Sequence, residues 1–279
     1  MKVSVLILQQ QWSFSRVIID SMQNILVTSA GKRVVLVELF KRALKACDQA
    51  AKVYTTDLNP ELAPAGIASD KCFRVPRVLS SDYISILLNI CVRNNIGMVI
   101  PTIDTELLVL SQNKQKFYDK GIALIISDFS FIQLCRDKRN TAIFFHEIGI
   151  RIPAPIDKLY PVFPLFAKPY DGSLSKDLYV IRNSEELTPE ILNHPKLIFM
   201  EYIDKAEYKE FTIDMYYSKD HYVKSIVPRE RIEIRAGEIN KGYTRKNFLV
   251  KYLRERMNYL PGVVGCICIQ LFYRESDDD

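Results

Sequence analysis

The sequence contains little of what metal-binding or nucleic-acid-binding proteins usually show. Its 279 residues include only three scattered histidines and no C-x-x-C pair, which argues against a zinc site. The net charge is +5, and no long basic run is interleaved with aromatic residues, so a nucleic-acid partner is not expected. No segment is long and apolar enough to span a bilayer, and we expect no membrane partner. The composition, 48% hydrophobic and 25% charged, is that of a globular protein, which we place in the cytoplasm.

The six cysteines are expected to be small core residues in a reducing compartment. Cys91 and Cys135 lie in apolar helical patterns. Cys266 and Cys268 alternate with apolar residues within a strand. No arrangement of these thiols predicts a disulfide framework.

The chain changes its pattern near residue 130. Residues 1–21 lack the small-residue cleavage site of a signal peptide, and two interpretations stay open for them, an N-terminal extension or a mis-assigned start. From residue 22 to about residue 130, short apolar strands such as Asn24–Thr28 alternate with amphipathic helices, which predicts a parallel, doubly wound α/β sheet. Residues 131–279 contain clustered strands instead, and we expect an α+β domain there, with a small lid lobe at about residues 155–205.

Seven segments occur in a fixed order along the chain. They are NILVTSAGKR, CRDKRNTAIFFHEIGIRIPAP, FPLFAKPYDGS, FMEYI, KEFTIDMYY, VPRERIEIRAGEINKG and CICIQLF. Over residues 23–273 this set resembles the ATP-grasp superfamily, and within it the carboxylate–amine ligases similar to the large subunit of carbamoyl-phosphate synthase. The resemblance implies a Rossmann-like pre-ATP-grasp domain at 22–130 and an ATP-grasp domain at 131–279.

Two lysines are the expected phosphate contacts. Lys138 lies at the start of a helix, and Lys168 lies at the end of an apolar strand, where an ammonium group can be aimed at a phosphate oxygen. The resemblance implies that both contact the nucleotide phosphates. In the following loop, Gly172 and Ser173 are candidates for covering the phosphates through exposed amides. The alternative is that both lysines are surface charges and that the loop is an ordinary turn.

The adenosine part of the nucleotide is assigned by resemblance. It implies that the Glu201 carbonyl accepts from the adenine amino group and that the Ile203 amide donates to the ring. Glu210 matches the carboxylate that accepts from the ribose hydroxyls. Because the segment before Glu210 is longer than usual in the family, Glu207 is a rival for this role. The alternative for all of them is the polar edge of a hairpin.

Several arginines follow a predicted strand at Tyr222–Pro228. Guanidinium groups suit phosphate and carboxylate recognition because they bind two oxygens at once. Arg229 and Arg235 are therefore the catalytic candidates, in contact with the γ-phosphate or an acyl phosphate. Arg231 shares a face with Arg229 in an extended segment, and a solvated charge is an equal alternative for it.

Gln270 is the candidate metal ligand. The resemblance implies that a glutamine at this place binds Mg²⁺, together with a Glu and an Asn of an E-x-N-P-R motif one hairpin later. That motif does not occur in the 279 residues. We therefore expect the ATP-grasp domain to be incomplete at its C-terminal end, and this chain to bind nucleotide weakly without turning over ATP.

Three functions compete at this point. The first is an ATP- and Mg²⁺-dependent ligase that joins a small-molecule carboxylate to an amine through an acyl phosphate, with a homodimer left open. The second is an inactive nucleotide-binding relative. The third, a dinucleotide-dependent oxidoreductase, rests on Gly31 and Asp57, but the G-x-G-x-x-G fingerprint is missing. Thr102, Asp104 and Glu106 are weak candidates for the substrate side, with a helix cap as the alternative.

Overall fold

The computed structural model describes residues 24–172, 177–235 and 237–274. The chain divides into two compact units, residues 1–129 and 130–279. None of the described helices combines the length and the apolar character needed to cross a bilayer.

The first unit is built on a parallel five-stranded sheet. Its strands are β1 (Asn24–Thr28), β2 (Lys52–Asp57), β3 (Lys71–Arg74), β4 (Ile96–Pro101) and β5 (Ala123–Leu124). Their order is β3-β2-β1-β4-β5, and every pairing is parallel. The predicted doubly wound sheet is thus confirmed. The chain reverses its direction of winding between β1 and β4, whose carboxyl ends meet at the switch point of the sheet.

Five α-helices accompany this sheet. They are α1 (Val34–Cys47), α2 (Pro64–Ala68), α3 (Tyr83–Arg93), α4 (Asp104–Gln112) and α5 (Lys114–Tyr118). Val37 and Leu44 are seven residues apart on α1, so they lie on one helical face. Both are buried with Ile25 and Val27 of β1 in one hydrophobic cluster. The amphipathic pattern of the sequence therefore fixes α1 against the sheet.

The second unit contains a small antiparallel sheet. The helices α6 (Phe129–Arg136) and α7 (Lys138–Glu147) precede its three strands, β6 (Leu165–Pro169), β7 (Tyr179–Ile181) and β8 (Leu197–Glu201). Strand β6 lies between β7 and β8. Leu165, Ala167, Ile181 and Phe199 form its core. The short helix α8 (Pro189–Asn193) connects β7 to β8. This small sheet lies within the predicted lid region.

A larger antiparallel sheet completes the second unit. Its strands are β9 (Lys209–Tyr217), β10 (Val223–Arg235), β11 (Glu238–Thr244) and β12 (Gly265–Tyr273), and α9 (Phe248–Met257) lies between β11 and β12 in sequence. The order is β11-β10-β9-β12. The predicted α+β character of this region is confirmed, and with it the α/β fold class.

Successive side chains of β9 point to opposite faces of this sheet. Its alternate residues Phe211, Ile213, Met215 and Tyr217 are fully buried and cluster with side chains of α9. Burial of each such side chain contributes about 1.5–3 kcal/mol to folding. The intervening residues of β9 point to the opposite face, which carries mostly polar groups.

The expectation that the cysteines are core residues is wrong for most of them. Cys91 is buried and Cys72 is partly buried, whereas the other four are exposed. Cys266 and Cys268 lie on the side of the large sheet that faces away from its hydrophobic core. Ile267, Ile269 and Leu271 take the core-facing positions of β12.

Candidate functional site

The loop after β6 is joined to the start of α7 by Lys138. The backbone N–H of Lys138 donates to the carbonyl oxygen of Tyr170 at 2.8 Å, and its ammonium group donates to the carbonyl oxygen of Gly172 at 2.6 Å. Helix α7 begins here because the Asp137 side chain caps it, accepting from the N–H of Arg139 at 2.9 Å. The amino end of α7 and the loop after β6 therefore form one surface.

Lys168 lies on β6 beside this surface. Its neighbours Leu165 and Ala167 point into the small core, so the alternation of the strand directs Lys168 to the other face of the sheet. Burial lowers the pKa of Lys168, and the nearby charge of Lys138 lowers this pKa further. Within the described part of the chain, no oxygen accepts a hydrogen bond from the Lys168 ammonium group. An anion at this place would offset the cost of a half-buried, unpaired cation.

Two further cations hold the loop after β6. The Arg139 guanidinium group lies over the Tyr170 ring, 3.8 Å from its centroid. The Lys196 ammonium group is 2.6 Å from a carboxylate oxygen of Asp171, and it holds the pKa of that carboxyl below its usual range. Neither Arg139 nor Lys196 was expected from the sequence, because both act through partners that are brought close only by the fold.

Gly172 fits the loop because a side chain would collide there. A Cβ atom at this position would lie 3.0 Å from the Cβ atom of Pro169, which is tighter than ordinary contact. Ser173, the next predicted residue of the loop, lies outside the described residues. Gly172 therefore stays a candidate on geometry, and Ser173 stays a prediction from the sequence.

The expected adenine-binding residues lie at the end of β8. Glu201 is the last residue of this strand, and its backbone N–H donates to the Ala154 carbonyl oxygen at 2.9 Å. Ile203 follows in the connection to β9 and is partly buried. Among the described residues, no group accepts a hydrogen bond from the Ile203 amide. This amide is therefore able to donate to a ring nitrogen.

A polar face covers the side of the large sheet opposite α9. We call the following six residues the polar face: Glu210, Thr212, Asp214, Arg229, Arg231 and Gln270. The register places Arg229 and Gln270 directly opposite Thr212 on the two neighbours of β9. Residues that pair directly across antiparallel strands share a face, so these side chains extend to the same side.

Glu210 and Arg231 form the most buried ion pair of the polar face. Arg231 Nε lies 3.0 Å from Glu210 Oε1, and the two side chains are 5% and 14% exposed. The Lys205 ammonium group donates to Glu210 Oε2 at 2.9 Å. Glu207, the rival candidate for the ribose, is 3.1 Å from Arg274 and is largely exposed. The structure thus brings Glu210, and not Glu207, into the polar face.

The two predicted catalytic arginines lie in different surroundings. Arg229 donates to Asp214 Oδ2 at 2.7 Å within the polar face. Arg235 lies at the end of β10, its side chain 73% exposed, 2.8 Å from Glu233. The strand was expected to end at Pro228 but continues to Arg235, since β11 returns beside it as a hairpin. Arg229 therefore belongs to the polar face, whereas Arg235 lies at the tip of the β10–β11 hairpin.

Gln270 is the predicted metal ligand, and it is exposed on β12 beside Thr212. Among the described residues, no group of three or more His, Cys, Asp or Glu side chains could hold a metal ion. Asp214 and Glu210, each two residues from Thr212 on β9, are already paired with Arg229 and Arg231. The described donor set is thus incomplete for Mg²⁺, which prefers six oxygens and at least one carboxylate.

Among the described residues of the first unit, Glu106 carries a buried carboxylate. It accepts hydrogen bonds from Thr28 Oγ1 at 2.6 Å, from the Ser29 hydroxyl group and from Tyr83 Oη at 3.1 Å. Burial raises the pKa of Glu106 although these hydroxyl groups oppose the shift. Because the side chain is fully buried, it braces the carboxyl end of β1 against α3 and is not exposed to a ligand.

The other two weak candidates lie close by. The Thr102 hydroxyl group donates to the carbonyl oxygens of Thr28 and Ser29 at 2.8 and 2.9 Å. Asp104 is the first residue of α4, so it lies where a carboxylate is favourable to the helix dipole. The N-cap residue of α4 is Ile103 and no side chain of the described residues caps this helix, so the expected cap by Asp104 is wrong, whereas Thr102 holds the end of β1.

Sequence comparison gives a match in the first unit. Residues 25–125 match the family model for a PylC-like N-terminal domain. No curated protein sequence matches the chain. The matched residues include the parallel sheet from β1 to β5.

Structural comparison covers nearly the whole chain. The biotin carboxylase domain of Hydrogenobacter thermophilus 2-oxoglutarate carboxylase, in complex with MgADP, ADP and bicarbonate, is similar over 91% of this chain and 62% of its own, with a TM-score of 0.66 and 13% identity. Staphylococcus aureus N5-carboxyaminoimidazole synthetase with ADP is similar over 92% and 68%, with a TM-score of 0.65 and 12% identity. This chain has the ATP-grasp fold. Campylobacter jejuni biotin carboxylase is also similar, over 92% of this chain and 63% of its own, with a TM-score of 0.64 and 12% identity.

The ATP-grasp resemblance noted in the sequence is thus confirmed at the level of the fold. The chain spans 62%, 68% and 63% of the lengths of these three structures. At 12–13% identity, the likeness carries no residue roles. The roles of Lys138, Lys168, Glu210 and the other site residues are therefore proposals.

Proposed function

We propose that the second unit binds ATP and that its phosphates lie over Lys138 and Lys168. The observation that carries the proposal is the half-buried Lys168 ammonium group, which has no acceptor among the described residues and lies close to a second lysine. Two cations at one surface are what a polyphosphate requires. ADP is named as bound in two of the similar structures, which supports the choice of nucleotide.

Adenosine would be bound by the end of β8 and the start of β9. The Ile203 amide, free of protein acceptors in the described residues, would donate to the adenine ring, and the Glu201 carbonyl would accept from its amino group. Glu210 would accept from the ribose hydroxyls. Gly172, and Ser173 by sequence, would cover the phosphates through the loop after β6.

The proposed reaction is a carbon–nitrogen ligation in two steps. A carboxylate oxygen of the substrate attacks the γ-phosphorus, the bond from this phosphorus to the bridging oxygen breaks, and ADP leaves. An amine then attacks the acyl carbon, phosphate leaves with the oxygen it received, and the amine loses a proton. Such chemistry needs positioning and charge neutralisation and no protein nucleophile. Arg229 and Arg235 are the candidates for neutralising the γ-phosphate or acyl phosphate.

Magnesium belongs to this proposal as a companion of the nucleotide. When bound, it neutralises charge on the phosphates. Gln270 would supply one neutral oxygen, and the described residues add no carboxylate cluster. No step is therefore derived through the metal. The relation to the carbamoyl-phosphate-synthase branch rests on the seven ordered segments, including Gln270 in CICIQLF.

Nucleotide binding is the first test of this proposal. Calorimetric titration of the 279-residue chain with ATP should show binding that Lys168→Ala weakens by about 1–3 kcal/mol, as expected for a charge-assisted contact. Lys158→Ala is the matched control, since Lys158 is a surface lysine of the same unit that donates to the Leu192 carbonyl. Equal ATP affinity in the wild type and in Lys168→Ala would contradict the phosphate assignment.

The alternative function is nucleotide binding without catalysis. It is favoured by the incomplete metal donor set of the described residues. ADP release in the presence of magnesium, screened over carboxylate and amine pairs, distinguishes the two. Release that depends on a particular pair supports the ligase, and ATP binding without release under any pair supports the alternative. A cytoplasmic location and a homodimer stay predictions.

A further inference from the structure

Glu210 is held by two cations on opposite sides of its carboxylate. Lys205 Nζ donates to Oε2 at 2.9 Å, and Arg231 Nε lies 3.0 Å from Oε1. The arginine contact is an ion pair and not an aligned hydrogen bond, because the buried Nε proton does not point at the oxygen. Lys205 is 61% exposed, whereas Arg231 is 5% exposed. The rigid partner of Glu210 is therefore Arg231.

Arg231 is held by protein oxygens and its side chain is almost fully buried. Its Nη1 donates to Thr212 Oγ1 at 2.8 Å, and its Nη2 donates to the Gly237 carbonyl oxygen at 2.9 Å. With Nε against Glu210, all three nitrogens of the guanidinium group face protein oxygens. Because the side chain is also buried, Arg231 acts on a ligand only through Glu210.

The carboxylate of Glu210 keeps acceptor capacity beyond these contacts. An ionised carboxylate has about four lone-pair positions. One is used by Lys205, and the electrostatic contact with Arg231 uses at most one more. Two positions are left, one on each oxygen. Two vicinal hydroxyl groups are the ligand chemistry that matches a fixed carboxylate with one free lone pair on each oxygen.

We infer that Arg231 is a positioning residue that makes the site selective for ribonucleotides. It fixes the Glu210 carboxylate so that the 2′- and 3′-hydroxyls of the sugar each donate to one oxygen. A 2′-deoxynucleotide leaves one oxygen without its donor, and the discrimination depends on the carboxylate staying in place. This inference rests on the proposed ATP site, in which Glu210 accepts from the ribose, and adds the role of Arg231 in holding that carboxylate in place.

The experiment compares ATP with 2′-deoxyATP. Dissociation constants of both nucleotides are measured by calorimetry with magnesium present, for the full 279-residue wild type and for Arg231→Gln. The wild type should prefer ATP by on the order of tenfold, the effect of one charge-assisted hydrogen bond. In Arg231→Gln the ratio of the two constants should fall to about one, because the carboxylate is no longer fixed. A general loss of structure would weaken both nucleotides by the same factor and leave the ratio unchanged.

Arg245→Gln is the matched control. Arg245 lies 3.7 Å from Glu230, a buried glutamate on the other side of the same sheet. This variant also removes an arginine beside a buried carboxylate but should keep the tenfold ratio. If Arg231→Gln does not fold, Thr212→Val replaces it, since it removes only the hydroxyl group that accepts from Arg231 Nη1. Its ratio should then lie below that of the wild type.

The outcomes separate this inference from the proposed function. Selective ATP binding that is lost in Arg231→Gln, or reduced in Thr212→Val, supports the positioning role. An unchanged ratio in the folded variant overturns it while the ATP site stands. Equal binding of the two nucleotides by the wild type also overturns it, again without affecting the phosphate site. No binding of either nucleotide overturns both proposals.

Discussion

The Lys138 ammonium group donates a 2.6 Å hydrogen bond to the carbonyl oxygen of Gly172 and lies near enough to Lys168 to depress its pKa. One side chain thus fixes the loop after β6 and shapes the electrostatics of the neighbouring lysine. The backbone of Lys138 is tied to the same loop through Tyr170. Substitution of the Lys138 side chain therefore separates the electrostatic role from the backbone contact.

Lys138→Met should raise the pKa of Lys168 and weaken ATP binding. The pKa should rise because a like charge is removed, and the affinity should fall by about 1–3 kcal/mol because one phosphate contact is lost. Heteronuclear NMR of the lysine ε-carbons follows the titration, and calorimetry follows the binding. Lys196→Met is the control, since Lys196 pairs with Asp171 and does not lower the pKa of Lys168. An unchanged Lys168 titration in Lys138→Met would show that the two ammonium groups do not interact.

Lys168→Met should weaken ATP binding and stabilise the fold. The folded-state pKa of Lys168 lies below its ordinary 10.5, so at neutral pH the protonated group is less favourable in the folded than in the unfolded chain. Removing the charge should raise the free energy of unfolding by about 1 kcal/mol, the usual exchange of stability for function.

The sign of the pH dependence gives a second check on Lys168. Between the folded pKa and 10.5 the unfolded chain binds more protons, so the contribution of Lys168 to stability becomes less unfavourable as pH rises. The advantage of Lys168→Met over the wild type should therefore shrink as the pH rises from neutral to about 10.5, the ordinary pKa of lysine. Urea unfolding followed by circular dichroism measures both proteins. A constant difference at the two pH values would contradict burial of the charged form.

The secondary-structure elements with a clear hydrophobic pattern were predicted from the sequence. Strands β1, β6 and β12 were expected from their apolar residues, and the pairing of the strands confirmed the two kinds of sheet. Strands β7 and β11 were not expected. Strand β7 has only three residues. Strand β11 has the sequence EINKGYT, whose polar residues and glycine do not give the apolar pattern of a strand. Such segments become strands because a neighbour offers hydrogen bonds, which local propensity does not record.

The contacts of the site were harder to predict than its members. Lys138, Lys168 and Glu210 carry chemistry that the sequence indicates. The pair of Glu210 with Arg231, however, depends on the register between β9 and β10 and on a strand that runs past Pro228. A shift by one residue would direct Arg231 to the opposite face. The charged residues of the site are therefore predictable from the sequence, whereas the pairs that are buried together are not.

Glu106→Gln should change the dependence of stability on pH. Burial raises the pKa of Glu106 above its ordinary 4.5, so the folded chain binds more protons and the stabilising contribution is lost as pH rises through the folded-state pKa. Glutamine has no such titration. The free energy of unfolding of the wild type, relative to Glu106→Gln, should therefore fall between about pH 4.5 and neutral pH. Urea unfolding at several pH values measures this difference.

Glu106→Ala should destabilise the fold more than Glu106→Gln does. It leaves the hydroxyl groups of Thr28, Ser29 and Tyr83 without their common acceptor. A loss of about 3 kcal/mol is expected, as for a broken buried network. ATP binding to the second unit supplies a control readout, since Glu106 belongs to the first unit. Equal stability of the wild type and Glu106→Ala would contradict a bracing role.

Arg229 and Arg235 should differ in their effect on the γ-phosphate. Arg229 lies in the polar face, paired with Asp214 at 2.7 Å, while the Arg235 side chain is 73% exposed beside Glu233. The difference between ATP and ADP affinity reports contacts to the γ-phosphate alone. Arg229→Ala should reduce this difference by about 1–3 kcal/mol, whereas Arg235→Ala should change it by no more than about 0.5 kcal/mol. Calorimetric titration of both variants with both nucleotides, each compared with the wild type, measures the difference. A larger effect of Arg235→Ala would mean that the β10–β11 hairpin brings its tip to the phosphates when nucleotide binds, and the assignment of Arg229 would then be wrong.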